Sequence, residues 1–300
     1  MNTERVKNIL IVFLSIITLG LAYMIFIEEN RHTLSAAQES AIVAILERND
    51  IQFSAEMVTS TRPMRQMQLE WYDYNISDLV TRFFGEATAD GNLRIEYVFD
   101  GVIFETDCRA MSFSTMNNTI VFEIPDGVTN DDFDAASGAV AARALAEWYV
   151  RELLTPPDSM IFFRQEFNHN WDYVFSFFST YRGNILYNDH IRVTVADRGI
   201  THILYSRVYN PMLTGDALAV ISPDEALLAL LNHLRHVMQI EGRIVIGDMY
   251  IAYFLTHQQG QTIAVPAYVF TIALGANLEL RFNHIICAHS NRHIWHEIIR

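Results

Sequence analysis

The alternation of hydrophobic and polar positions is suspended once in this chain, near its start. The stretch Ile9 to Ile27, ILIVFLSIITLGLAYMIFI, contains no charged residue and no proline. At 1.5 Å of rise per residue, roughly 20 apolar residues cross a bilayer core as one helix. The pattern therefore predicts a transmembrane helix over 9–27. Arg5 and Lys7 precede it, whereas Glu28 and Glu29 follow it. Cationic flanks stay in the cytoplasm. This predicts a cytoplasmic N-terminus (1–8) and a single-pass protein of the cell membrane, with its large C-terminal part extracytoplasmic. A cleaved signal peptide would have a shorter apolar core, about 7–15 residues, ending in an A-x-A-like site. Gly20-Leu21-Ala22 is the only faint match and lies inside the apolar run, so an uncleaved anchor is the favoured reading.

After the anchor the periodic patterns take over. Ser35-Ala36-Ala37-Gln38 reads as a capping box, followed by a helix with Ala41, Ile42, Ile45 and Leu46 on one face and an end near Asn49. Residues 51–63 read as extended or irregular. Met67, Leu69 and Trp71 alternate as a strand, and Ile76 to Phe84 fits a short helix stopped by Gly85. Asp100-Gly101 joins two strand-like runs as a hairpin, and a further strand, Thr119 to Ile124, leads into a turn at Pro125-Asp126-Gly127. An alanine-rich helix over about 131–154 buries Val140, Leu145 and Trp148 or their neighbours and stops at Pro156-Pro157. Strands follow over 160–167, 171–179, 191–195 and 200–208. Ser222-Pro223-Asp224-Glu225 combines a cap, a proline at the first helical position and a capping-box glutamate, and Ala226, Leu227, Leu230, Leu231 and Leu234 form the buried stripe. Three long strands then run over 243–256, 263–274 and 278–288, before a tail helix over 290–299.

Helix followed by antiparallel strands thus occurs twice, over about 131–210 and again over 222–288. The predicted class is α+β, with repeated modules of one helix packed on an antiparallel sheet. The boundaries are a first extracytoplasmic α+β segment over 28–128, one helix-plus-sheet module over 129–212, and a second over 213–300 that includes the tail.

Composition narrows the function. Among 300 residues the formal net charge is −14, which argues against nucleic acid and against docking on anionic headgroups. The two cysteines, Cys108 and Cys287, lack the spacing of a zinc ribbon or a redox motif and read as two small core residues. No nucleophile elbow, phosphate loop, dinucleotide fingerprint or H-E-x-x-H motif occurs, and no enzyme activity, catalytic residue or cofactor is assigned. His284, Cys287, His289, His293 and His296 lie close together near the end. His289, His293 and His296 would share one face of the tail helix, where imidazoles bind zinc or copper. A strand end followed by a solvated helix is the preferred reading, and no metal ligand is assigned. Asp248 interrupts an apolar run and faces solvent if a bulge falls at Gly247; Asp189, Asp197 and His202 read as turn or surface residues. In the anchor, Ser15, Thr18 and Ala22 fall on one helical face, where small residues let membrane helices approach closely. That face is the candidate partner contact.

The chain resembles the YycI/YycH family, regulatory proteins of the YycFG (WalKR) two-component system in Gram-positive bacteria. The resemblance rests on ERVKNILIVFLSIITLGLAYMIF at the start and AIVAILERNDIQF after it. It continues in RGNILYNDHIRVTVADRGITHILYS, and in ISPDEALLALLNHL, IVIGDMYIAYF and TIAVPAYVF near the end. The family pattern has tryptophan two residues after Pro266, where this chain has Tyr268. The resemblance implies a non-enzymatic extracytoplasmic part built of paired α+β modules, loosely like PepSY-type domains. It implies partners in a sensor histidine kinase and a YycH-like protein, with the membrane helix touching the kinase helices. An alternative is a tethered PepSY-like binding or inhibitory module that acts on an extracellular protease or cell-wall enzyme.

Overall fold

The structure, a computed structural model, describes residues 34–58, 61–85, 92–116, 118–130, 133–154, 160–168, 170, 172–258, 261–274 and 280–299, together with Ile17, Thr18 and Gly20. Four α-helices are described: α1 (Ala36–Arg48), α2 (Ile76–Phe84), α3 (Gly138–Leu154) and α4 (Pro223–Asn232). Among the described residues no helix is long and apolar enough to cross a membrane. The anchor prediction lies outside the described residues, apart from Ile17, Thr18 and Gly20, which are helical.

The helices begin where the sequence places their caps. Gln38 N donates to Ser35 Oγ at 3.3 Å and Ser35 N donates to Gln38 Oε1 at 3.0 Å, closing the capping box of α1. At α4, Ser222 N donates to Glu225 Oε2 at 3.3 Å. Helix α3 is shorter than its pattern suggested, because a 3-10 turn occupies Ala135–Ser137. Its buried stripe is Ala142, Leu145, Ala146, Val150 and Leu153. Val140 and Trp148, expected inside, fall off this i, i+3, i+4 stripe and are exposed.

Among the described residues fifteen strands connect into one sheet, which has two halves. In the first half, β7 (Met160–Phe167), β8 (Tyr173–Tyr181), β9 (Asn184–Ala196) and β10 (Gly199–Ser206) form an antiparallel meander. Beyond β10 it continues through β6 (Thr119–Val128), β5 (Ala110–Ser114), β4 (Gly101–Glu105) and β3 (Arg94–Val98). In the second half, β12 (Ile244–Gln258), β13 (Gln261–Leu274), β14 (Leu280–Cys287) and β15 (His293–Ile299) repeat the four-stranded meander. Strands β2 (Met64–Trp71) and β11 (Val208–Leu218) extend this half from the edge of β13 that β14 uses, pairing at Ile263 and Ala264 where β14 does not reach, and β1 (Ile51–Phe53) pairs in parallel with β12. The halves meet at a short parallel seam, where Ala252 and Tyr253 of β12 pair with Ile185 and Leu186 of β9.

The repeat of helix and antiparallel strands is therefore present, with two corrections. Each half buries two helices, where one was expected: α2 and α3 share a core with Phe122, Phe175 and Ile203, and α1 and α4 share one with Ile246, Phe270 and Phe282. The tail helix is the strand β15. Its register against β14 completes a fourth strand equivalent to β10, and pairing satisfies backbone groups that an isolated helix of this length would leave weakly held.

The second half is apolar on both faces, which explains its unbroken apolar runs. Tyr268, Phe270 and Ile272 face α1 and α4, whereas Ala267, Val269 and Ile285 pack against Phe178 and Tyr187 of the first half. Tyr268 is fully buried and its hydroxyl donates to Ile221 O at 2.8 Å, so this position carries a large aromatic with a polar tip.

The expected turn at Pro125-Asp126-Gly127 lies within β6. Strand β10 slips its register between Ile200 and His202 against this strand, which absorbs the extra residues as a bulge. Two glycines make the crossing possible. Gly199 has φ +102°, and a Cβ there would lie 2.3 Å from Val128 O; Gly127 has φ +76°, and its Cβ would lie 2.1 Å from Arg198 O.

Candidate functional site

Strand β3 ends the sheet, and among the described residues no strand pairs with its outer edge. Its alternation sends Ile95 and Tyr97 to the same face as their cross-strand partners Phe104 and Val102. Farther inward that face is covered by α2 and α3, and Phe104 and Phe113 still pack against the core there. At β3 the cover has run out. Ile95 is 51% exposed, Tyr97 84%, and Phe99 at the hairpin turn is completely exposed. Gly101, just after this turn, lets β4 lie close against β5, since a Cβ there would collide with Phe113 O. Edge strands are commonly blunted by short length, charge or proline. Here Arg94 and Glu96 occupy only one of the two faces, and the other is apolar.

The opposite face of the same strands lines a cleft of about 690 Å³. Val98 and Asp100 stand at its rim. Ser112, Ser114, Val121 and Leu204 form its floor, and Trp71, Asn188, His190 and Phe254 lie at its inner end, beside the seam. The inner end is held by backbone contacts. Asn188 Oδ1 accepts from Leu255 N at 2.8 Å, Ser206 Oγ donates to Asn188 O at 2.9 Å, and His190 Nδ1 lies 3.0 Å from Tyr187 O. Ser206 and His190 are thus engaged with the main chain. Such a lining suits contact with an extended apolar or polar segment through shape and hydrogen bonding.

Behind the cleft lies a buried ionic site. Asp189 is 3% exposed, with Arg207 Nε 3.8 Å from its Oδ1. Burial pushes the Asp189 carboxyl up to about 6, with Arg207 opposing. Burial likewise pushes the neighbouring Tyr205 hydroxyl up to about 12. The Arg207 guanidinium sits 4.6 Å from the centre of the Tyr72 ring, and Asn118 Nδ2 donates to Tyr72 O and Arg207 O at 3.0 and 3.3 Å. Asp189 was expected at the surface. It lies instead in a bulged stretch of β9, between Leu186 and His190, and is buried there, and the neighbouring arginine had no sequence signal. His202 is half-buried, and desolvation lowers its pKa. Asp197 is exposed in the β9–β10 turn, as its turn motif suggests. The bulge at Gly247 is present as a register shift between Ile246 and Asp248. Asp248 Oδ2 pairs with Arg164 at 3.8 Å.

The clustered tail histidines separate. His289 is half-buried with Nε2 3.1 Å from Met64 O, and burial lowers its pKa. Cys287 and Cys108 are both free thiols. The backbone of His296 is the register partner of His284. His284 and His293 converge, and they converge on a residue that sequence spacing had not connected with them, His233. Ring centroids lie 4.8 Å apart for His233 and His284, 4.1 Å for His233 and His293, and 4.4 Å for His284 and His293. Of the anchor face, Ser15 and Ala22 lie outside the described residues, and Thr18 is exposed.

No family model matches this sequence, and no curated protein does. Among solved structures, the chain is similar to an uncharacterized protein from Eubacterium rectale, with a TM-score of 0.46 and 11% identity over 82% of this chain and 91% of that one. It is similar to the YpeB C-terminal domain of Bacillus megaterium, with a TM-score of 0.34 and 12% identity over 77% of this chain and 99% of that one. It is similar to YycH from Bacillus subtilis, with a TM-score of 0.43 and 12% identity over 73% of this chain and 53% of that one.

Proposed function

We propose that this protein is a membrane-tethered regulator whose extracytoplasmic part works by protein–protein contact, and that its target is a sensor histidine kinase. The observation that carries the contact reading is the open β3 edge, with Tyr97 exposed on one face of the strand, the cleft on the other, and Phe99 exposed at the turn. An unpaired edge offers backbone hydrogen bonds to an added strand, and the adjoining aromatic side chains supply apolar contact area. The kinase as target rests on the sequence resemblance. The anchor over 9–27 would hold the domain beside the kinase's own membrane helices, with Ser15, Thr18 and Ala22 on the approaching face. Regulation then consists of favouring one of two pre-existing helix arrangements, and its strength equals the difference in contact energy between them.

The test combines two changes. A photo-crosslinking amino acid is placed at position 99 of the full chain in its native membrane, and in a second strain the anchor is replaced by an unrelated apolar helix. A kinase trapped from position 99, together with loss of regulation on the swap, supports the proposal. A soluble extracellular enzyme trapped equally with either anchor would replace it with the tethered binding module, and unchanged kinase output after the swap would remove the kinase from the account.

A further inference from the structure

The convergence of His233, His284 and His293 stands apart from the cleft and from the anchor. Each imidazole comes from a different element. His284 is on β14, a strand paired on both sides, and its side chain is fully buried. Alternation along β14 sends Asn283 to the back face, where it donates to Tyr187 OH at 2.7 Å, and sends His284 to the face covered by α4. His293 opens β15, directly opposite Ile286. His233 begins a π turn, His233–Val237, that follows α4 without a break. His233 is itself helical, with its N–H bonded to Ala229 O, so it extends the face of α4 that carries Glu225 and Ala229 toward the β14–β15 hairpin.

The three residues offer ring nitrogens that all lie within 4.8 Å of one another. Tetrahedral zinc with bonds of about 2.0–2.1 Å spaces its ligand nitrogens about 3.4 Å apart, so small χ rotations close the difference. The nitrogens of His284 and Nε2 of His293 are cut off from solvent, while Asn232, His233 and His293 border a surface cleft of about 490 Å³. A cation could enter from that cleft and keep a water there as a fourth ligand. Three neutral imidazoles with one open position suit zinc and the neighbouring divalent transition ions, and they are poor ligands for calcium or magnesium.

We propose that His233, His284 and His293 form a binding site for a divalent transition ion of the zinc type, which clamps the end of α4 to the β14–β15 hairpin. The alternative for such a cluster is aromatic packing of neutral rings, and the 19° angle between His233 and His293 would suit it equally. Metal uptake separates the two.

The full chain is purified in mild detergent without a polyhistidine tag, stripped with chelator, and titrated with zinc and, separately, with cobalt(II). The expected result is one ion per chain, a cobalt spectrum of tetrahedral type that zinc abolishes, and a zinc-dependent rise in melting temperature. His233→Gln and His293→Gln should each weaken zinc binding by at least about 100-fold, beyond the 10–100-fold typical of losing an outer partner. Both ligands are only half-buried, so both variants should melt like the wild type without metal. His289→Gln is the control and should bind as the wild type does. Absence of stoichiometric uptake, or uptake that survives both ligand substitutions, overturns the site.

Discussion

Replacing Asp189 by asparagine should change how stability depends on pH. The carboxyl is 3% exposed, and burial raises its pKa from 3.8 to about 6 despite Arg207 nearby. The folded protein therefore holds this proton more tightly than the unfolded chain. The associated stability is fully present below the unfolded value of 3.8 and is lost as pH rises through about 6. At about 1.4 kcal/mol for each pH unit between the two values, the full loss is about 3 kcal/mol. Most of it, about 2–3 kcal/mol, falls between about pH 4 and pH 7. Asparagine keeps the volume and cannot ionise. The unfolding free energy of Asp189→Asn minus that of the wild type should therefore climb by that amount across the window. Urea denaturation of the detergent-solubilised chain at a series of pH values, followed by tryptophan fluorescence, measures it. Taking the difference cancels carboxylates common to both proteins. Parallel curves for the two proteins between about pH 4 and pH 7 would refute the reasoning, since the buried acid would then titrate as it does in the unfolded chain.

Gly199→Ala should lose roughly 2–4 kcal/mol in the same urea assay, because a Cβ would press on Val128 O in a backbone conformation that favours glycine. Leu230→Ala, at a fully buried position of α4, should lose about 2–5 kcal/mol, whereas Leu228→Ala on the exposed side of the same helix should stay within about 0.5 kcal/mol. Tyr97→Ser combined with Phe99→Ser should leave the melting temperature unchanged and reduce partner capture from solubilised membranes. A fall in melting temperature instead would show these side chains to be part of the fold.

The helix starts and most strand positions were legible because their signals are local. A capping box needs four consecutive residues, and Ser35-Ala36-Ala37-Gln38 closes one in space. The histidine cluster was half legible. Spacing drew attention to His284 and His293, yet it placed His293 on a helix face. The missed signal was the repeat itself: the first meander has four strands after its helix, so the second should have had four as well. His233 was hidden for another reason. It lies about fifty residues upstream, at the end of α4, and only the packing of that helix on β14 brings it to the hairpin. Asp189 was misjudged because its sequence surroundings, Asn188 and His190, are polar. It sits where β9 bulges against β8, between Leu186 and His190, and such an irregularity breaks the alternation that sequence reading relies on.

The same distinction bears on how the two halves act together. Among the described residues, direct strand pairing between them is confined to the seam of β9 and β12, which is too short to fix their relation alone. A buried polar chain adds to it. Arg164 of β7 donates to Thr271 of β13 at 2.9 Å, Thr271 to Asn283 of β14 at 3.0 Å, and Asn283 to Tyr187 of β9 at 2.7 Å. Hydrogen bonds of this kind are directional, and a buried member that loses its partner bears its full desolvation cost, so the chain tolerates few alternative registers between the halves. The apolar contacts around it, Phe163 on Phe178 and Tyr250, are less particular about geometry. Burial thus supplies the adhesion between the halves while the polar chain selects one arrangement.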